Sequence, residues 1–140
     1  METGLNLDVL ATVHQFLGYL VALTVIAAAV VGFTDDREGV FAPRIFVVPA
    51  ILIDIQVLGG LVIYTLGRYW EHPSWLVAIL HPLLALSALV LAHVMVGRAR
   101  KTSPPVRARR TAASGLVGAL LLVAGAIGVV SAGIRGAGAG

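Results

Sequence analysis

Four long stretches of the chain are almost continuously apolar, and the charged residues are gathered mainly into the segments that separate them. A helix crosses the hydrocarbon core of a bilayer with about 20 apolar residues, so the pattern predicts helices over residues 7–33, 44–67, 74–97 and 111–134. The connections are short enough for successive helices to pack as antiparallel neighbours. The expected fold is all-α, a single transmembrane domain built as an up-down-up-down four-helix bundle.

The connections set the expected orientation. TDDREGVFAPR offers Asp and Gly for a turn, and Pro43 suits a helix start because the N–H it lacks has no partner there. RARKTSPPVRARR, residues 98–110, holds six of the ten basic residues around a Pro-Pro pair that breaks a helix. Basic loops stay cytoplasmic, so both termini and the RYWEHPSW segment are expected outside a prokaryotic plasma membrane. Tyr69, Trp70 and Trp75 then sit at the outer boundary, where amphipathic rings favour the headgroup region. The start METGLNLD has no basic residue, unlike a signal peptide, and is expected to stay in the mature protein. GAGAG at the other end reads as a frayed tail.

Composition narrows the chemistry. Of 140 residues, 59% are hydrophobic and 12% charged, about half the charge of an ordinary soluble domain, which makes the lipid bilayer the first partner. With no cysteine, the chain has no disulfide, thiolate nucleophile, iron–sulfur ligand or covalent haem attachment. The net charge of +3 comes chiefly from the one loop, so no nucleic-acid partner is expected.

Two histidines interrupt apolar sequence at matching depth: His14 in ATVHQFLGYLVAL and His81 in VAILHPLLALSALVL. Each lies seven residues inside its expected span, roughly 10 Å below the outer edge at 1.5 Å per residue. An intramembrane imidazole is costly without a partner, and two on diagonal helices of a bundle can ligate a haem iron from opposite sides. Gly18 and Ala85, one turn deeper on each helix, would leave room for the macrocycle. The other reading is that each ring hydrogen-bonds a carbonyl or a neighbour such as Gln15. Zinc or copper on His14, His81 and His72 would require His72 to reach below the interface, and no carboxylate flanks the pair.

His93 follows His81 by twelve residues, about 120° off its face, and belongs to a different environment: an inner-interface hydrogen bond or a contact with another subunit. His72 and Arg68 lie in the outer segment, solvated or near a haem propionate. Asp54 and Gln56 fall near mid-membrane, and Asp54 should point inward, as a relay, an ion site or a buried hydrogen-bond partner. With no second relay group evident, the structural role is preferred. Gly59 and Gly60 permit close approach of a helix or a cofactor face. In the last span Ala124, Gly128 and Ala132 share a face, suited either to packing within the bundle or to a subunit interface.

HQFLGYLVAL, DIQVLGGLVIYTLG and WLVAILHPLLALSALVLAHV resemble the first histidine helix, the glutamine and double-glycine helix, and the second histidine helix of one half of a haem A synthase. The resemblance covers about two thirds of the chain. It implies that His14 and His81 face a haem near the outer side of the membrane. It departs from the family in having four spans where those enzymes have eight, Ala11 where they place a carboxylate, and no cysteine. Together these readings make the expected protein a binder of haem b with His14 and His81 on the iron (metal) and Gly18, Ala85, Gln56, Gly59 and Gly60 around the cofactor, serving electron transfer or haem handling. A homodimer or a larger respiratory complex is its expected setting. No catalytic residue stands out, and oxidase activity of the haem A synthase kind is not expected of the chain alone. The alternatives are a cofactor-free accessory subunit of a membrane complex, or a small transporter component working through Asp54.

Overall fold

A computed structural model describes residues 6–37 and 39–137, so METGL and the last three residues of GAGAG lie outside the described part. Helix α1 spans Leu7–Thr34, α2 Arg44–Leu66, α3 His81–Ala99 and α4 Pro105–Ala137, with a 3₁₀ turn at Tyr69–Glu71 and a π turn at Leu76–Leu80. No strand occurs among the described residues. Four helices are long and apolar enough to cross a bilayer, the third counted from Leu76, and the protein is a multi-pass membrane protein on that ground.

Local chemistry explains the helix starts. Asn6 caps α1, its side-chain oxygen accepting the Asp8 N–H at 3.0 Å, and Asp8 places negative charge in the positive first turn. The Pro43 carbonyl accepts from the N–H groups of Phe46 and Val47, and α2 begins there. Helix α4 begins six residues before the expected position. Pro105 opens it, because a proline in the first turn gives up no helical hydrogen bond, so Arg107, Arg109 and Arg110 stand on the helix and not in the loop.

Helix α1 packs against α2 and α4, and α3 packs against the same two. Across one diagonal α2 and α4 approach each other; α1 and α3, across the other, make no close backbone approach among the described residues. The core is drawn from one stripe of each helix: Val21, Val25 and Ala28; Phe46, Ala50 and Ile53; Ala88, Ala92 and Val96; Ala112, Leu116 and Ala119. Alanines on both α3 and α4 bring those two helices close, and Gly115 and Gly118 lie against Met95 and Leu91. Large apolar side chains such as Phe16, Leu23 and Leu121 face outward, as a lipid environment allows. Gly128 has open space around it and Ala124 and Ala132 are exposed, so that stripe of α4 faces away from the bundle.

One buried cation ties the first connection to α4. Arg109 is 4% exposed. Its guanidinium donates to the backbone carbonyls of Asp35, at 3.0 Å, and Arg37, and it lies 3.8 Å from the Asp35 carboxylate. Arg110 adds a weaker pair to Asp36. Arg109→Gln keeps one donor group but loses the charge and the fork. It is expected to cost about 1.5–3 kcal/mol and to open residues 35–43 to proteolysis, with Arg109→Lys in between. Limited proteolysis and unfolding in mixed micelles measure both.

Candidate functional site

The site is built at the end of the bundle that carries the 67–75 segment, and a proline starts it. Pro82, one residue after His81, has no N–H to return to the carbonyl of Ala78 four residues earlier. The Tyr64 hydroxyl takes that carbonyl instead, donating to it at 2.7 Å. The chain just before His81 is widened into a π turn, in which the His81 N–H reaches back to the Leu76 carbonyl. Proline, π turn and tyrosine together fix where α3 begins and how its first side chain leaves the backbone. Tyr64→Phe is therefore expected to cost about 1–3 kcal/mol, by stranding the Ala78 carbonyl away from water. A fall in the thermal unfolding midpoint in micelles would measure it.

His81 donates through Nδ1 to the Ala126 carbonyl of α4, 3.1 Å away. A carbonyl only accepts, so Nδ1 carries the hydrogen and Nε2 keeps its lone pair free. Metal-ligating imidazoles in general take this tautomer, with a carbonyl or carboxylate on the other nitrogen as orienting partner.

His14 is held from α2. Its Nε2 lies 3.2 Å from the Gln56 Nε2, which donates to it. A Cβ at Gly60 would come within 2.9 Å of the ring's Cε1 and one at Gly59 within 3.8 Å of Nδ1, so the double glycine makes the seat for the imidazole. Gly18 is buried, and a Cβ there would sit 3.2 Å from the Gln56 amide. The glycine leaves room for that amide. Two polar atoms of this cluster, His14 Nδ1 and Gln56 Oε1, are buried without a hydrogen-bond partner. Each such atom costs about 1–3 kcal/mol. Ala85, one turn beyond His81, is partly buried.

The structure thus brings His14, Gln56, Gly59, Gly60 and Gly18 together, with His81 at the same end of the bundle. It also adds Tyr64 and the Ala126 carbonyl, which sequence reasoning missed. The Pro82 signal could have revealed that some group must serve the freed carbonyl, though not which one.

The other polar residues divide differently. Asp54, read above with no second titratable group beside it, has its carboxylate 2.7 Å from His93 Nε2. Their side chains are 33% and 49% exposed on the outside of the bundle, so the expectation that Asp54 points inward is corrected. Helix rotation did separate His93 from His81; the face it turned to is the seam with α2. His72 accepts the Ser74 N–H through Nδ1 at 3.1 Å and stacks on Tyr69, while Arg68 pairs with Glu71. Both are engaged locally. Among the described residues no three His, Asp or Glu side chains are close enough to hold a bare metal ion, so the zinc or copper arrangement with His72 does not form.

No family model, curated protein or solved structure matches the chain.

Proposed function

We propose that this is a b-type haem-binding membrane protein with His14 and His81 as axial ligands, used for electron transfer or haem handling. The observation that carries the reading is the pair of imidazoles on α1 and α3, the two helices that make no close backbone approach to each other. His81 supports it with a free Nε2 and an Nδ1 anchored on Ala126, and His14 with the unpartnered atoms around it. Bound there, haem would supply one-electron exchange between ferric and ferrous iron. Two histidine ligands leave no open position for oxygen, which favours electron transfer over oxygenation.

The protein's own residues have distinct tasks in this reading. Ala126 orients His81, and Tyr64 steadies the turn that presents it. Gln56 and the double glycine orient His14, whose Nε2 would hold the iron where it now accepts from Gln56. The resemblance of three segments to half a haem A synthase supports haem binding more than haem oxidation.

An up-down-up-down course accompanies the proposal. It is supported by the contacts of Gly133 with Val77, Gly118 with Leu91 and Gly115 with Met95, which run in opposite senses along α3 and α4. Arg109 at the start of α4 against Asp35 at the end of α1 supports it equally. Both termini then lie outside a prokaryotic plasma membrane, with the arginine-rich end of the bundle cytoplasmic.

The absorption spectrum of protein purified from haem-replete cells tests the reading. A Soret band that shifts on dithionite reduction, with sharp α and β bands, is expected; a colourless protein that also fails to take up added haemin overturns it.

A further inference from the structure

The Asp54–His93 pair stands on the outer surface of the bundle, and the haem proposal gives it no task. Asp54 is ten residues along α2 from Arg44, roughly 15 Å from that end of the helix. At that depth hydrocarbon surrounds the bundle and offers no hydrogen bond to a polar group left on its surface. Something more polar than lipid must cover the pair.

The hydrogen-bonding capacity of the pair says what. His93 meets Asp54 through Nε2 at 2.7 Å. The pair is neutral overall in two arrangements: an imidazolium beside a carboxylate, or a neutral ring accepting from a protonated carboxyl. In both, the ring's Nδ1 carries a hydrogen on the side away from Asp54, and the second carboxyl oxygen keeps free lone pairs. The pair therefore offers one donor and one acceptor, side by side. A second copy of the same pair, turned by a two-fold rotation, offers the matching acceptor and donor.

The surroundings suit such a contact. On α3 the residues Leu83, Leu86, Val90 and Val94 form an exposed apolar stripe beside His93. Gly97, one turn beyond His93, is exposed with open space where a Cβ would stand, so a second backbone can come close. We propose that the chain forms a two-fold dimer through the α2/α3 face, in which His93 Nδ1 of each copy donates to the Asp54 carboxyl of the other. An interface of this kind is isologous, each residue meeting its symmetry partner's complement.

The absence of cysteine allows a direct test on the full chain in its native membrane. Single cysteines are placed at Val90, beside the pair, at Ile127 on α4 and at Leu23 on α1, which are 56%, 55% and 65% exposed. Mild oxidation is expected to give a disulfide-linked dimer with Val90→Cys and little with Ile127→Cys or Leu23→Cys. Adding Asp54→Leu and His93→Leu to Val90→Cys is expected to reduce the dimer at least fivefold. Asp54→Asn, which keeps an acceptor and a donor, is expected to preserve it. A monomer at all three positions overturns the proposal, as does linkage favoured at Ile127 or Leu23. Because Val90→Cys leaves the pair intact, the pattern across the three sites decides even if the double leucine variant fails to fold. Haem absorption in these variants reads the proposed cofactor site separately, and its loss or retention does not enter the cross-linking result.

Discussion

His81→Ala is expected to abolish the reduced α and β bands completely, and His14→Ala to do the same, while His93→Ala keeps them at close to wild-type intensity. The reasoning rests on tautomer and partner. His81 has its Nδ1 committed to the Ala126 carbonyl, which leaves the lone pair on Nε2. His93 Nε2 is already engaged with Asp54. Removing an axial ligand removes the low-spin bis-histidine spectrum outright, whereas loss of an orienting partner lowers metal affinity by about 10–100-fold. Added imidazole is expected to restore part of the spectrum to His81→Ala, by standing where the side chain stood. Reduced and oxidised spectra of the three variants, with circular dichroism to establish that each is folded, measure the effect. Bands that survive His81→Ala but vanish in His93→Ala would move the ligand to the α2/α3 seam and overturn the assignment.

The helices could be read from the chain because a bilayer leaves apolar length as a strong signal, and α2 begins directly after the Pro43 that marked its start. The start of α4 was harder. A Pro-Pro pair breaks a helix when it falls inside one, but its second proline is a favourable first residue, and sequence alone does not say which side of the break a proline is on. The site was legible as residue types and depth. Its partners were not, because a helix pattern gives each side chain a direction on its own axis but not the azimuth of the neighbouring helix. That is why counting along the helix could separate His93 from His81 and still miss that Asp54 of α2 stood opposite it. Tyr64 was hidden for a related reason: its role depends on a carbonyl freed fourteen residues away by Pro82.

A large stability effect is expected at the other end of the bundle, at Gly32. A Cβ there would lie 2.5 Å from the Ala113 Cβ and 3.0 Å from both the Arg109 carbonyl oxygen and the Phe46 ring. Carbon atoms in contact prefer about 3.5–4.0 Å, and two Cβ atoms fixed to helical backbones cannot rotate aside. Gly32→Ala therefore has to part α1 from α4, loosening Ala113 and Phe46, both among the most buried residues of the core. Helix propensity acts the other way, alanine being favoured over glycine by about 1 kcal/mol in a helix interior. Overpacking of a tight core costs about 1–3 kcal/mol and outweighs it here, and Gly32→Val should exceed that range because its added methyls meet the same wall. Ala113→Gly supplies the check. By itself it costs about 1 kcal/mol of propensity, but it removes the closest of the three contacts, so the pair Gly32→Ala with Ala113→Gly is expected to be less destabilised than the sum of the single changes. Unfolding in mixed micelles at increasing denaturing detergent measures the cycle. A Gly32→Ala protein as stable as the wild type would show that α1 and α4 do not meet this closely. Since Gly32 is eighteen residues along α1 from His14, whatever fraction of these variants folds is expected to retain the haem spectrum unchanged.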